Sequence, residues 1–132
     1  MMEFKLWRQL KREPYSEYRD SDSITVKELK CMYGIYQKYY ANTRYEIFEK
    51  DFLEKTGVFL IIEPIDKQIV GFSTVTERDF VVNGKARHAF FSGDTIIEKE
   101  FWGNRALTRA MYRYIVSFKM RYPLVPVYWI LI

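Results

Sequence analysis

One cysteine and one histidine are all that this 132-residue chain holds of the two side chains most used in metal sites. A single cysteine, Cys31, can form neither an internal disulfide nor the usual zinc cluster. It falls within a helical pattern, reads as a small core residue, and places the chain in a reducing, cytoplasmic compartment. No apolar run approaches the roughly 20 residues of a spanning helix, so no membrane partner is expected. The N-terminal "MMEFKLWRQLKREPY" mixes charges into its apolar residues and is no signal peptide. There is no glycine-rich P-loop, no HExxH, no nucleophile elbow and no Cys/His metal spacing, so no metal is expected. Internal repeats, low-complexity tracts and linkers are missing too, which leaves residues 1–132 as a single domain.

What is present supports a packed core. Hydrophobic residues make up 48% and aromatics 18% of the chain, enough to bury most of the apolar surface without staples. The 29% of charged residues are interspersed with apolar ones, which argues against disorder. The formal charge of +4 is a mild bias towards anionic partners. It is too diffuse to specify nucleic acid, and an RNA- or DNA-binding reading has only that charge and scattered aromatics behind it.

Along the chain, "EFKLWRQL" (3–10) begins by alternating and reads as a short strand, followed by a charged loop, "KREPYSEYRDSDS". Thr25 and Glu28 have capping-box spacing, and Val26, Leu29, Tyr33, Tyr36 and Tyr40 then recur at helical intervals. Thr43 and Glu46 offer a second capping box. Phe48, Phe52 and Leu53 form the inner face of that helix, with Gly57 ending it. From residue 58 the pattern turns to strands: "VFLIIEP", then "IVGFSTVTERDFVV", then a hairpin at Asn83-Gly84 and a return through "KARHAFFSGDTIIEKEF". Ser92-Gly93-Asp94 in that last run predicts a bulge. Leu107, Met111, Tyr114, Ile115, Phe118 and Tyr122 then line a helix closed by Pro123. "VPVYWILI" is a final strand, apolar on both faces and therefore expected inside the sheet. The tyrosines Tyr33, Tyr36, Tyr39 and Tyr40 offer an aromatic platform in principle, but their spacing points to packing of the helix on the sheet.

The stretch "TIIEKEFWGNRALTRAM" (95–111) runs from strand through Gly103 into a helix. Such a junction exposes unpaired backbone N–H groups at the helix N-terminus, where the helix dipole also favours anions, phosphates above all. Together with the order β-α-α-β-β-β-α-β, this resembles the GNAT-type N-acyltransferase superfamily over nearly the whole chain. The resemblance implies an α/β fold, a GNAT-like mixed, mostly antiparallel sheet flanked by helices. It also implies acetyl-coenzyme A or another acyl-coenzyme A as co-substrate and a small-molecule or protein amine as acceptor. By resemblance, the backbone of Ile96, Ile97 and Glu98 would pair with the pantetheine arm and acyl carbonyl. The amides of Gly103, Asn104, Arg105, Ala106, Leu107 and Thr108 would hold the pyrophosphate. The family's turn reads Arg or Gln, two free positions, Gly, one free position, then Gly or Ala. One register puts Trp102 where Arg or Gln belongs and the other puts Glu100 there; in both, Gly103 is the only agreement. In both, Arg105 brings a side chain where the family has a small residue or none. Arg105 either pairs with the phosphate directly or obstructs it.

The family places a base for the acceptor amine on the strand before the turn, usually a glutamate acting through water. Here His88 on that strand, Glu77 on the preceding one and Asp94 at the kink are the possible bases. Arg105, Arg109 and Arg113 are spaced four apart; Arg109 and Arg113 fall opposite the apolar stripe, where a solvated face belongs. The family pattern continues past the fifth strand, whereas this sequence ends at Ile132. A bare Trp-Ile-Leu-Ile edge invites association, and pairing with a second copy is expected, a fragment or a divergent remnant being the alternatives. The resulting expectation is acyl transfer from coenzyme A to an amine. The alternative is a non-catalytic binding or assembly module on the same scaffold.

Overall fold

The computed structural model describes residues 13–131. The strand expected at 3–10 lies outside the described residues. The first strand seen, β1 (Tyr15–Asp20), falls instead in the stretch read as a loop, and a 3-10 turn at Ser21–Ser23 follows it. Its charges hid it from a hydrophobic pattern. Ser16 is buried, Tyr18 half-buried, and Glu17 and Asp20 look outward, the composition of an edge strand held by its neighbour.

Helices α1 (Val26–Tyr39) and α2 (Tyr45–Leu53) come next, then β2 (Gly57–Ile62), β3 (Ile69–Val82) and β4 (Lys85–Ile97). A 3-10 turn at Lys99–Phe101 leads to α3 (Ala106–Arg121) and β5 (Val127–Leu131). One sheet holds all five strands in the order β1-β2-β3-β4-β5. Every pairing is antiparallel except β4 with β5, which are parallel and joined through α3. This is the expected α/β order, in a mixed, mostly antiparallel sheet. Helices cover both faces. Leu29, Met32, Ile35, Phe48 and Phe52 pack on Val58, Leu60, Ile62, Phe72 and Ile96 on one side. On the other, α3 lies over Phe59, Val75 and Phe90. Phe59, Phe72 and Phe90 are fully buried, each contributing on the order of 2–3 kcal/mol by leaving water.

Several expectations need correction. Thr25 and Glu28 do form the capping box of α1, but α2 starts at Tyr45 behind Arg44 without a side-chain cap. The Thr43 hydroxyl meets the Tyr33 hydroxyl instead, at 2.9 Å. Val26 and Leu53 are exposed rather than inner: in α1 the stripe is Leu29, Met32 and Ile35, with Tyr33 and Tyr36 half-buried, and Leu53 lies five residues past Phe48, off the buried face. Tyr40 is the C-cap rather than part of the helix. Gly57 does not end α2 but opens β2, where the Tyr18 ring lies so close that any Cβ would collide with it. Tyr122 is exposed beyond the end of α3. Cys31 is free and exposed on α1, not in the core. Among the described residues β5 is an edge strand, not an internal one, because α3 returns the chain to the outer side of β4. No helix of the described residues is long and apolar enough to cross a membrane.

Candidate functional site

Strand β4 carries the site. The predicted bulge is present: Ser92 pairs with Val75 and Thr95 with Ser73, so Gly93 and Asp94 together oppose Thr74. Gly93 is required there, since a Cβ would stand 2.6 Å from the Thr74 hydroxyl oxygen. Beyond the bulge β4 stays on β3 but leaves β5, whose described register ends at Ser92–Leu131. Among the described residues the outer edge of β4 from Gly93 onward has no β5 partner.

The three residues expected to offer backbone there are not equivalent. The Glu98 amide donates to the Val70 carbonyl at 2.8 Å. Alternation in an antiparallel ladder then turns the polar groups of Ile96 to β3 as well and leaves those of Ile97 facing outward. The Ile97 carbonyl already accepts the Trp102 indole N–H at 2.7 Å. The Glu98 carboxylate is held by Lys38 of α1, 3.0 Å from both oxygens.

The turn that follows has Gly103 at φ 88°, a left-handed conformation that favours glycine. Helix α3 begins at Ala106 behind Arg105, with no side-chain cap and no acidic residue in its first turn. Asn104 bridges the turn: its amide group donates to the Phe101 carbonyl and its Oδ1 accepts the Ala106 amide at 2.9 Å. Among the described residues no acceptor meets the amides of Gly103, Arg105, Leu107 or Thr108. Arg105, Arg109 and Arg113 are all exposed. Open donors, a helix dipole and a free guanidinium at Arg105 make this terminus attractive to an anion.

Next to the turn is a cleft of about 550 Å³, lined by Tyr39, Tyr40, Thr95, Ile96, Ile97, Trp102 and Gly103. The Tyr39 hydroxyl accepts the Lys99 amide at 3.1 Å and ties the end of α1 to the 3-10 turn. Sequence reasoning assigned Tyr39 and Tyr40 to packing and passed over Trp102 and Thr95 as lining residues. The signal for the tyrosines was their place at the helix end, off the buried stripe. Asp94 directly precedes the cleft-lining Thr95 in β4. Burial, and then the negative charge of Asp94, raise the Tyr36 hydroxyl above the usual tyrosine range, and Tyr36 stacks on Tyr40 with ring centroids 4.7 Å apart.

His88 and Glu77 are brought together, but elsewhere. They lie on the α3 face of the sheet, near the β3–β4 hairpin, with His88 seven residues before Thr95, about 23 Å along the strand. Buried His88 has Nδ1 2.6 Å from Asp79 Oδ1 and Nε2 3.4 Å from Glu77 Oε1. Its ring stacks on Phe118 at 4.2 Å. The Tyr114 hydroxyl donates to the other Glu77 oxygen at 3.2 Å. Burial, helped by the Glu77 charge, pushes the Tyr114 hydroxyl upward; burial raises that of Tyr18 further. A smaller hollow of about 390 Å³ opens on this group between β3, β4 and α3. No cluster of three His, Cys, Asp or Glu among the described residues could hold a metal ion.

No protein-family model and no curated protein matches the sequence. Solved structures do match the fold. The aminoglycoside N-acetyltransferase AAC(6')-Iy, solved with coenzyme A, superposes with a TM-score of 0.59 at 12% identity over 89% of this chain and 78% of that one. A GNAT family acetyltransferase of Staphylococcus aureus gives 0.55 at 14% identity, over 89% and 85% of the two chains. An aminoglycoside acetyltransferase from an uncultured soil metagenome, in complex with sisomicin, gives 0.55 at 11%, over 89% and 76%. At these identities the likeness is one of fold: the architecture is that of the GNAT superfamily.

Proposed function

We propose, starting from the GNAT-type fold, that this chain transfers an acetyl or other acyl group from coenzyme A to an amine. The observation that carries the proposal is the N-terminus of α3, without a side-chain cap from its N-cap residue, placed at the end of a bulged strand whose outer edge beyond Ser92 is unpaired among the described residues. Several structures that share the fold were solved with coenzyme A, a coenzyme A bisubstrate analogue or an aminoglycoside bound. The anionic pyrophosphate would lie on the amides of Gly103, Arg105, Leu107 and Thr108, with those of Asn104 and Ala106 drawn partly into the turn's own bonds. Arg105 would pair with it from the solvent side. Ile97 is the residue of β4 whose backbone faces the arm; Ile96 and Glu98 hold the strand in place. When bound, the coenzyme supplies a thioester carbonyl for the amine to attack. The protein contributes position and a base. Of the three possible bases Asp94 adjoins the cleft-lining Thr95 in sequence, whereas His88, about 23 Å away along β4, and Glu77 are engaged with each other on the α3 face, so we assign the base role to Asp94.

A second reading is a non-catalytic binding or assembly module. Trp102 and Asn104 already satisfy part of the strand edge and turn, which favours it. The outer edge of β5, with Tyr128 and Ile130 exposed, is where a second copy would pair. Both readings are compatible with a reducing, cytoplasmic setting, since Cys31 is a free surface thiol. Thermal melting with acetyl-coenzyme A separates them: a coenzyme present at 100 times its Kd adds about 2.7 kcal/mol of stability, and no shift at millimolar coenzyme decides for the module. Light scattering reads the pairing, and a monomer at high concentration rejects it.

A further inference from the structure

Trp102 occupies one of the outward-facing backbone positions of β4 beyond the bulge. The Ile97 carbonyl faces away from β3, because Glu98 and Val70 form the neighbouring bonded pair. It also lies five residues beyond Ser92, the last residue of β4 that pairs with β5. The Trp102 indole N–H donates to that carbonyl at 2.7 Å, and Trp102, Ile97 and Gly103 line the same cleft. The indole is not a core element. It is 62% exposed, and among the described residues its ring meets no other aromatic ring. It stands next to Gly103, which is in left-handed conformation.

We infer that Trp102 is an internal substitute for a secondary amide of the coenzyme arm, holding the Ile97 carbonyl in the free protein and releasing it on binding, so that Trp102 sets coenzyme affinity. The inference rests on the coenzyme reading above and adds to it a competing residue particular to this chain. Both donors are neutral N–H groups aimed at the same acceptor. The carbonyl has a second lone pair, but the indole N–H holds it from the cleft side, where the arm's amide would approach. Removing the internal donor therefore removes a competitor. An exposed neutral hydrogen bond makes this worth about a five-fold change in Kd.

The test is calorimetric titration of the full chain with coenzyme A, wild type against Trp102→Phe, which keeps an aromatic ring and loses the N–H. The expected result is wild-type binding and three- to ten-fold tighter binding by the variant. Nitrogen-15 spectra of the wild-type chain supply a second readout that needs no variant to fold. One of the three indole N–H signals should shift and exchange faster with solvent as coenzyme is added. Equal affinities with unmoved indole signals overturn the inference and leave the coenzyme reading standing. Weaker binding by the variant overturns it as well, since Trp102 is then a contact and not a competitor. No binding by either protein removes the coenzyme reading and this inference together.

Discussion

Two helix N-termini in this chain are built in opposite ways. That of α1 is closed: Glu28 takes the Thr25 amide at 2.9 Å, the Thr25 hydroxyl takes the Glu28 amide at 3.1 Å, and Arg19 clamps the carboxylate. That of α3 has no side-chain cap and no acid in its first turn, and Arg105 stands in front of it. A fold that only needed to end a helix had the first solution available. The same division runs through the ionisable side chains. His88, Glu77, Asp79 and Tyr114 bond to one another on the α3 face, while Asp94 sits in the bulge next to the cleft-lining Thr95. Bonding capacity that the fold leaves unused is a guide to chemistry beside residue type, and by that criterion we prefer Asp94 to the lone histidine as the proposed base.

The largest effects should come from exchanging the roles of those carboxylate and histidine sites. Asp94→Asn should lower kcat about 100-fold, the lower range for a lost general base, with little change in melting. His88→Gln should do the reverse: kcat unchanged, and stability lower by about 1–3 kcal/mol in urea denaturation, because the buried imidazole and its stacking on Phe118 are lost. A kcat collapse in the histidine variant with normal kcat in the other would invert the assignment. Next in size is Arg105→Glu, which makes the open terminus resemble the closed one. Coenzyme binding should weaken at least ten-fold by calorimetry, while the melting temperature rises slightly, since an acid at a helix N-terminus stabilises by about 0.3–1 kcal/mol. Loss of both affinity and stability would mean that Arg105 is a structural residue of the turn.

Much of this was readable before any coordinates, and the part that was not has a physical pattern. The run of β2, β3 and β4, the hairpin at Asn83-Gly84 and the bulge at Gly93 follow from turn chemistry and β-branched runs that act locally. β1 was missed because its pairing with β2 holds it, not its own hydrophobicity. β5 was placed inside the sheet because apolar residues on both faces look the same in an edge strand that is half covered by a helix. At the site, Gly103 and the following amides could be named from the glycine alone. Which backbone groups face outward could not, since this depends on the ladder phase fixed by the Glu98–Val70 pair. Nor could the meeting of Tyr39, Tyr40 and Trp102, which are about 60 residues apart in sequence.

A smaller effect is expected at the hinge of the open terminus. Gly103→Ala meets no atom within 4 Å, so its cost is that of the left-handed backbone alone, about 1 kcal/mol. Chemical denaturation measures it. A cost near zero would show that the turn relaxes to another conformation, and coenzyme affinity should then fall with it.

The smallest effect tests the closed terminus. Burial by itself would raise the Glu28 carboxyl, but bonds from the Thr25 amide and Arg19 outweigh it and hold the group below its ordinary range. A depressed carboxyl contributes stability above its unfolded pKa of about 4.3 and loses it as pH falls through the lower folded value. Glu28→Gln keeps an acceptor for the Thr25 amide and removes only the charge. It should cost about 0.5 kcal/mol at pH 7, as expected of a partly exposed ion pair, and progressively less as the pH falls through the lowered folded pKa and the wild-type carboxyl is protonated too. The two denaturation curves should therefore converge on acidification. If they stay apart at low pH, the terminus is held by the amide acceptor and not by charge, and the electrostatic contrast between α1 and α3 reduces to geometry.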